Sequence, residues 1–143
     1  MNTKLALLIL PLIWLQCRSH QDSANEHPPL ENTYWKLVEV GGRTVTIPQN
    51  GREIYMILTK ENDSMLLKGH AGCNGLGGEY KLEGKKIKLQ PITTRMFCEA
   101  QMEAENLFTR MLTDADNYVL SGKTLELFAG SELLGKFEAL PVK

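Results

Sequence analysis

The 143-residue sequence has almost no surplus of charge, since 16 Lys and Arg stand against 17 Asp and Glu for a formal net charge of −1. A nucleic-acid binder needs a basic excess and a solvating tail an acidic one, so neither class is indicated and charge names no partner. The apolar run from Leu5 to Leu15 is too short to cross a bilayer comfortably as a permanent helix. No G-x-x-x-x-G-K-[ST] occurs, so the glycines do not form a nucleotide phosphate cradle. No C-x-x-C occurs, which removes the signature of a thioredoxin-like couple. From residue 33 onward His70 is the one histidine, so cysteine nucleophilic catalysis has little choice of base.

What is present in excess is glycine, in one place. Gly69 to Tyr80 reads GHAGCNGLGGEY, with five glycines, Cys73 and Asn74 between two runs of strand character. Such density marks a backbone that turns tightly or approaches another backbone closely. A second cysteine, Cys98, follows 25 positions later, just ahead of the clearest helical pattern in the chain. The glycine-rich segment is therefore expected to be a hub tying a sheet to a helix. At this length one domain is expected.

Residues 1–16 carry a lysine and then the apolar run, the form of an export signal. Cys17, directly after it, resembles the acylation site of bacterial lipoproteins, with Gln16 where a small residue is usual. Lipidation at Cys17 is the expectation, against plain secretion or a retained anchor. Arg18 is not the aspartate associated with inner-membrane retention, so the expected address is the outer membrane, facing the periplasm. Residues 17–32 are polar with Pro28 and Pro29, and read as the lipidated N-terminus and a flexible tether. His20 and His27 in it are expected to be solvated.

The folded domain is expected over residues 33–141. In YWKLVEV, alternation sends Trp35, Leu37 and Glu39 to one face and Lys36, Val38 and Val40 to the other. EIYMILT (53–59) and MLLKGHAG (65–72) read as strands about a KENDS turn (60–64). EYKLEG and KKIKLQ read as a hairpin about Gly84, with Leu82, Ile87 and Leu89 inward and Pro91 ending the pair. From Glu99 to Asp114, Met102, Leu107, Phe108, Met111 and Leu112 recur at helical spacing, with acids toward the amino end. Short strands and glycines then alternate to the end. The class is α+β: a strongly curved, open-barrel-like antiparallel sheet packed around one amphipathic helix.

With these elements in place the chain resembles the META domain family of HslJ-like bacterial lipoproteins. The residues that carry the resemblance are Trp35 and Leu37, then Gly72, Cys73 and Asn74 with Gly78 and Tyr80. Thr94, Met96 and Cys98 follow as T-x-M-x-C, then Glu105 and Phe108, and last Tyr118, Gly122, Leu125 and Leu127. The resemblance implies a curved sheet around a helix, similar to the lipid-binding pilotins of type III secretion. It also implies an envelope location and an association with stress or antibiotic tolerance, with no established reaction.

Three chemistries are open to Cys73 and Cys98: a disulfide, a zinc pair drawing on His70, or a redox couple. Export to an oxidising compartment favours the disulfide, because lipidation of Cys17 leaves these two cysteines to pair. Glu105 falls between Met102 and Phe108, at the edge of the apolar stripe, where a carboxylate must reach water or find donors. A hydrogen bond to the hub backbone or to Asn74 is expected. Two functions remain. One is a non-enzymatic envelope lipoprotein, anchored through its lipid, that binds a partner protein or an apolar ligand. The other is a small periplasmic enzyme using Glu105 or His70 in a cleft. No cofactor, metal or nucleic acid is expected.

Overall fold

Residues with period-two patterning become strands, and the computed structural model describes residues 27–140. The elements in order are β1 (Tyr34–Val40), β2 (Arg43–Thr44), β3 (Ile54–Glu61), β4 (Ser64–Ala71), β5 (Gly75–Glu83), β6 (Lys86–Thr93), α1 (Met102–Asp114), β7 (Asn117–Ser121), β8 (Thr124–Ala129) and β9 (Glu132–Leu140). The class is α+β, as expected: nine strands in one antiparallel sheet with a single helix among the described residues. The sheet curls because β9 pairs back onto β1. It is ring-like rather than a continuous barrel, since β1 and β3 share two residue pairs and β6 and β7 only one, Lys86↔Asn117.

The two mouths of the ring are closed differently. Over one, where β1, β4 and β6 end, α1 presses Phe108, Met111 and Leu112 inward, with the Phe108 ring edge-on to Phe137 at 6.2 Å. Over the other lies the segment before β1. Asn32 N–H donates to Leu58 O at 2.7 Å, Trp35 Nε1 donates to Leu30 O at 2.9 Å, and the Tyr80 hydroxyl donates to Glu31. Leu30 is buried against the core. This corrects the boundary drawn at residue 33, because residues 29–32 pack as part of the domain. The reason is that one apolar side chain and a few backbone bonds suffice to dock a short segment over an open sheet edge. Between the mouths the ring is filled by its own side chains: Trp35, Met56, Leu58, Leu125, Leu127 and Phe137 are all fully buried.

Three local expectations are revised. Strict alternation in β1 fails because the register against β9 shifts between Leu37 and Glu39. The bulge turns Val40 inward, and Glu39 comes out to Lys136 at 3.7 Å. Pro91 does not end the β5–β6 pair, which runs on through Gly78↔Pro91 to Leu76↔Thr93. Ile87 N–H points away from β5, to Asp116 O at 3.0 Å, and alternation puts the Pro91 nitrogen on that same side, which asks for no ladder bond to β5. The helix begins at Met102, and Glu99 lies in the turn before it, where the backbone N–H groups of Gln101 and Met102 both donate to Cys98 O.

Gly78 shows why glycine is required inside β5. Its φ is +134°, and a Cβ there would collide with the carbonyl oxygen of Gln90 on β6. Its neighbour Gly77 has open space and no unusual backbone angle. Gly78→Ala is therefore expected to lower unfolding free energy by on the order of 3 kcal/mol. Gly77→Ala should stay within about 0.5 kcal/mol. Urea unfolding of the two variants checks the contrast, and equal midpoints would refute it.

Candidate functional site

The hub is built by the return of β4 into β5. At its entry Gly69 comes so close to β3 that a Cβ would strike the Tyr55 carbonyl oxygen. Gly72, at φ +102°, makes the turn, and Ala71 N–H closes it on Asn74 O at 2.7 Å. The turn aims Asn74 inward, where it is 1% exposed.

All four hydrogen-bonding positions of the Asn74 side chain are used. Nδ2 donates to Glu105 Oε1 at 2.7 Å and to Met96 O at 3.1 Å. Oδ1 accepts from Met96 N–H at 2.7 Å and from the Thr94 hydroxyl at 2.9 Å. The Asn74 backbone N–H donates to the other Glu105 oxygen at 2.9 Å. Thr94 is fastened again, its Oγ1 accepting from Gly75 N–H at 3.1 Å. Glu105, on the first turn of α1 and 4% exposed, thus has a donor on each oxygen. Its place near the amino end also sets its charge against the positive end of the helix dipole.

Cys73 and Cys98 form a disulfide with Cα atoms 5.8 Å apart. Of the alternatives, zinc would need the thiolates that this bond removes. Among the described residues no group of three or more His, Cys, Asp and Glu side chains is placed to hold a metal. His70 is half-buried at the end of β4, and its Nδ1 accepts from Gly72 N–H at 3.1 Å. That bond requires the neutral ring with its proton on Nε2, so Arg52, 3.5 Å from Nε2, is a charged neighbour and not a donor to it. Burial first and the Arg52 charge second hold the His70 pKa below its ordinary value, while Glu105 pulls it up.

The structure thus brings Gly72, Cys73, Asn74, Thr94, Met96, Cys98 and Glu105 together at one place. Gly78 and Tyr80 lie apart from it, Gly78 opposite Pro91 and Tyr80 reaching Glu31 at the other mouth. Burial, then the Glu31 hydrogen bond, push the Tyr80 hydroxyl well above its ordinary pKa. Cys17 and His20 lie outside the described residues. Glu31 as a partner was not visible in the sequence; the isolated Leu30 between polar residues was the available signal that this segment docks. Gln101, whose Nε2 donates to Arg52 O at 3.3 Å, also escaped the pattern reading.

The META domain profile matches residues 28–139. The chain belongs to the META domain family. Its fold is shared by an NMR structure of a protein from Burkholderia xenovorans, with 22% identity, coverage of 79% of this chain and 85% of that one, and a TM-score of 0.64. A second NMR structure aligns at 25% identity over 76% of this chain and 90% of the other, with a TM-score of 0.58. Among curated proteins none matches. In this META domain the matched hub is a structural junction that fixes the β6–α1 connector to the β4–β5 turn.

Two measurements test the junction. The disulfide closes a loop of 25 residues, and replacing both cysteines with Ala should cost about 3.5 kcal/mol in the chain-entropy estimate. Reductant should lower the melting temperature of the wild type and chelator should not; the opposite pattern would point to a metal site. Glu105→Gln sets an amide NH2 against the donors of Asn74 and should cost about 1 to 3 kcal/mol in urea unfolding. An unaltered midpoint in that variant would remove the structural role.

Proposed function

We propose that the protein is a non-enzymatic lipoprotein of the bacterial cell envelope that binds a partner protein through the outside of its META domain. Cys17 carries the lipid anchor, after removal of residues 1–16, and the address is the outer membrane, facing the periplasm. A part in envelope stress or antibiotic tolerance completes the reading and rests on the family resemblance.

One observation carries the choice of a protein over an enclosed apolar ligand: the ring is filled. Trp35, Met56, Leu58, Leu125, Leu127 and Phe137 occupy the interior at full burial. A carrier of apolar ligands needs an enclosed cavity lined by such residues, not packed with them. The state of the two residues an enzyme would use also supports a non-catalytic reading. Glu105 has both oxygens bonded to Asn74, and His70 is bonded to Gly72 beside Arg52. Among the described residues, three of the surface pockets have volumes of about 350 to 390 Å³, and these three are not lined by His70, Asn74 or Glu105.

The anchor is tested by fractionation. Cys17→Ser should move the protein from the membrane pellet to the soluble fraction, and the intact mass of the wild type should carry the lipid. A wild-type protein with an unmodified Cys17 would refute the lipoprotein reading.

A further inference from the structure

A donor or a cation stands at each nitrogen of the His70 ring. Gly72 N–H donates to Nδ1 at 3.1 Å, and a guanidinium nitrogen of Arg52 lies 3.5 Å from Nε2. With the ring proton on Nε2, Nδ1 carries the ring's one free lone pair, and Gly72 takes it. A second proton has to enter at Nδ1. There it would set a ring N–H against the N–H of Gly72 and a positive ring against Arg52. The surroundings therefore suit the neutral imidazole and oppose the imidazolium.

The bond at stake lies in the turn on which the hub depends. Gly72 is buried, with the Ile54 side chain close over its Cα, so its N–H has no ready substitute for the His70 acceptor. Without that acceptor the turn has to open until the N–H meets water. The same turn is closed by Ala71 N–H on Asn74 O, and Asn74 holds Glu105, Thr94 and Met96. Loss of one acceptor at His70 thus reaches the connector between β6 and α1, residues 94–101, where Met96 is 59% and Phe97 81% exposed. The Cys73–Cys98 bond keeps the connector tied to the hub while its hydrogen bonds are released.

The groups that face the ring come from three sides. Arg52 precedes β3 and is steadied by Gln101, which donates to its carbonyl oxygen at 3.3 Å. Tyr55 stands opposite His70 on β3, stacked on Tyr34, and Gly75 opposite it on β5 brings no side chain. Glu105 on α1 favours the charged ring, but both of its oxygens are engaged by Asn74. We propose that His70, set between Gly72 N–H and Arg52, is a proton-operated latch on the β4–β5 turn: the neutral ring holds the turn closed, and the imidazolium releases it together with the Asn74 bonds to the connector.

Burial first and the Arg52 charge second place the folded-state pKa of His70 below the ordinary 6.5. Between those two values the unfolded chain binds a proton that the folded protein does not. The stability supplied by the neutral ring is thus complete above about pH 6.5 and is lost as the pH falls from there through the lower folded value, where the latch opens.

The test follows the full-length 15N-labelled protein by NMR from about pH 7.5 to about pH 5. The His70 ring and the Gly72 amide should titrate with one shared midpoint below 6.5. Across it, hydrogen-exchange protection of the Ala71 and Asn74 amides should fall about tenfold or more. Protection of the Ala139 amide, bonded to Lys123 O, should hold. His70→Asn keeps an acceptor for the N–H two residues on and cannot take up the proton, so its hub protection should stay constant over the same range. Arg52→Gln removes the facing cation and should carry the midpoint upward. Separate midpoints for His70 and Gly72, hub protection that does not change with pH, or an unmoved midpoint in Arg52→Gln would each overturn the proposal. The same acid loss in His70→Asn would assign the proton to Glu105 or another group and overturn it as well. If His70→Asn does not fold, the wild type and Arg52→Gln decide the matter.

Discussion

A single buried carboxylate fastens the helix to the sheet. Glu105 enters the protein interior on α1, and an unpaired carboxylate there would be far more costly than any packing its helix could return. Asn74 removes that cost with two N–H groups. Those donors converge only if the chain turns at Gly72 with a positive φ. Asn74 has acceptor capacity left over, and Thr94 and Met96 take it, so the connector is fixed as a consequence of solving the carboxylate's problem. The arrangement is all-or-none in character. Each member is satisfied by the others, and losing one leaves several buried polar groups short of partners.

The disulfide and this network hold the same two segments by different physics. The Cys73–Cys98 bond restricts the unfolded chain, whereas the Asn74 bonds act only once the fold has formed. The covalent bond brings the hub and the helix entrance near each other; the hydrogen bonds then select one geometry. Redox conditions and local packing therefore control the connector separately, and neither alone accounts for its rigidity.

Much of this was legible in the sequence, and the limits have physical causes. Glycine density located the hub because only glycine tolerates both a positive φ at Gly72 and the close approach of Gly69 to β3. The helical stripe placed Glu105 beside apolar residues, which required a donor, and Asn74 stood in the nearest turn. Other features depend on partners distant in sequence. The bulge in β1 exists because of its register with β9, about a hundred residues away. Pro91 is harmless in β6 because β7 diverges after Lys86, and no local signal reports where a neighbouring strand departs. Residues 29–32 look like tether by composition, and they dock because Leu58 and Tyr80 leave a hydrogen-bond acceptor and donor at an open mouth.

The two mouths divide the labour of the molecule. The N-terminal mouth is covered by the segment that precedes β1, through Leu30, Glu31 and Asn32. The other mouth is covered by α1, and the junction that seats the helix also fixes the connector carrying Met96 and Phe97. Stability and display are thereby coupled: the bonds from Asn74 that prevent the connector from collapsing are the ones that satisfy the buried Glu105. A weaker junction would let Phe97 fold toward the surface and would at the same time leave the carboxylate short of donors. The exposed aromatic is thus tied to the core's own polar arrangement, and a variant that relaxes one disturbs the other.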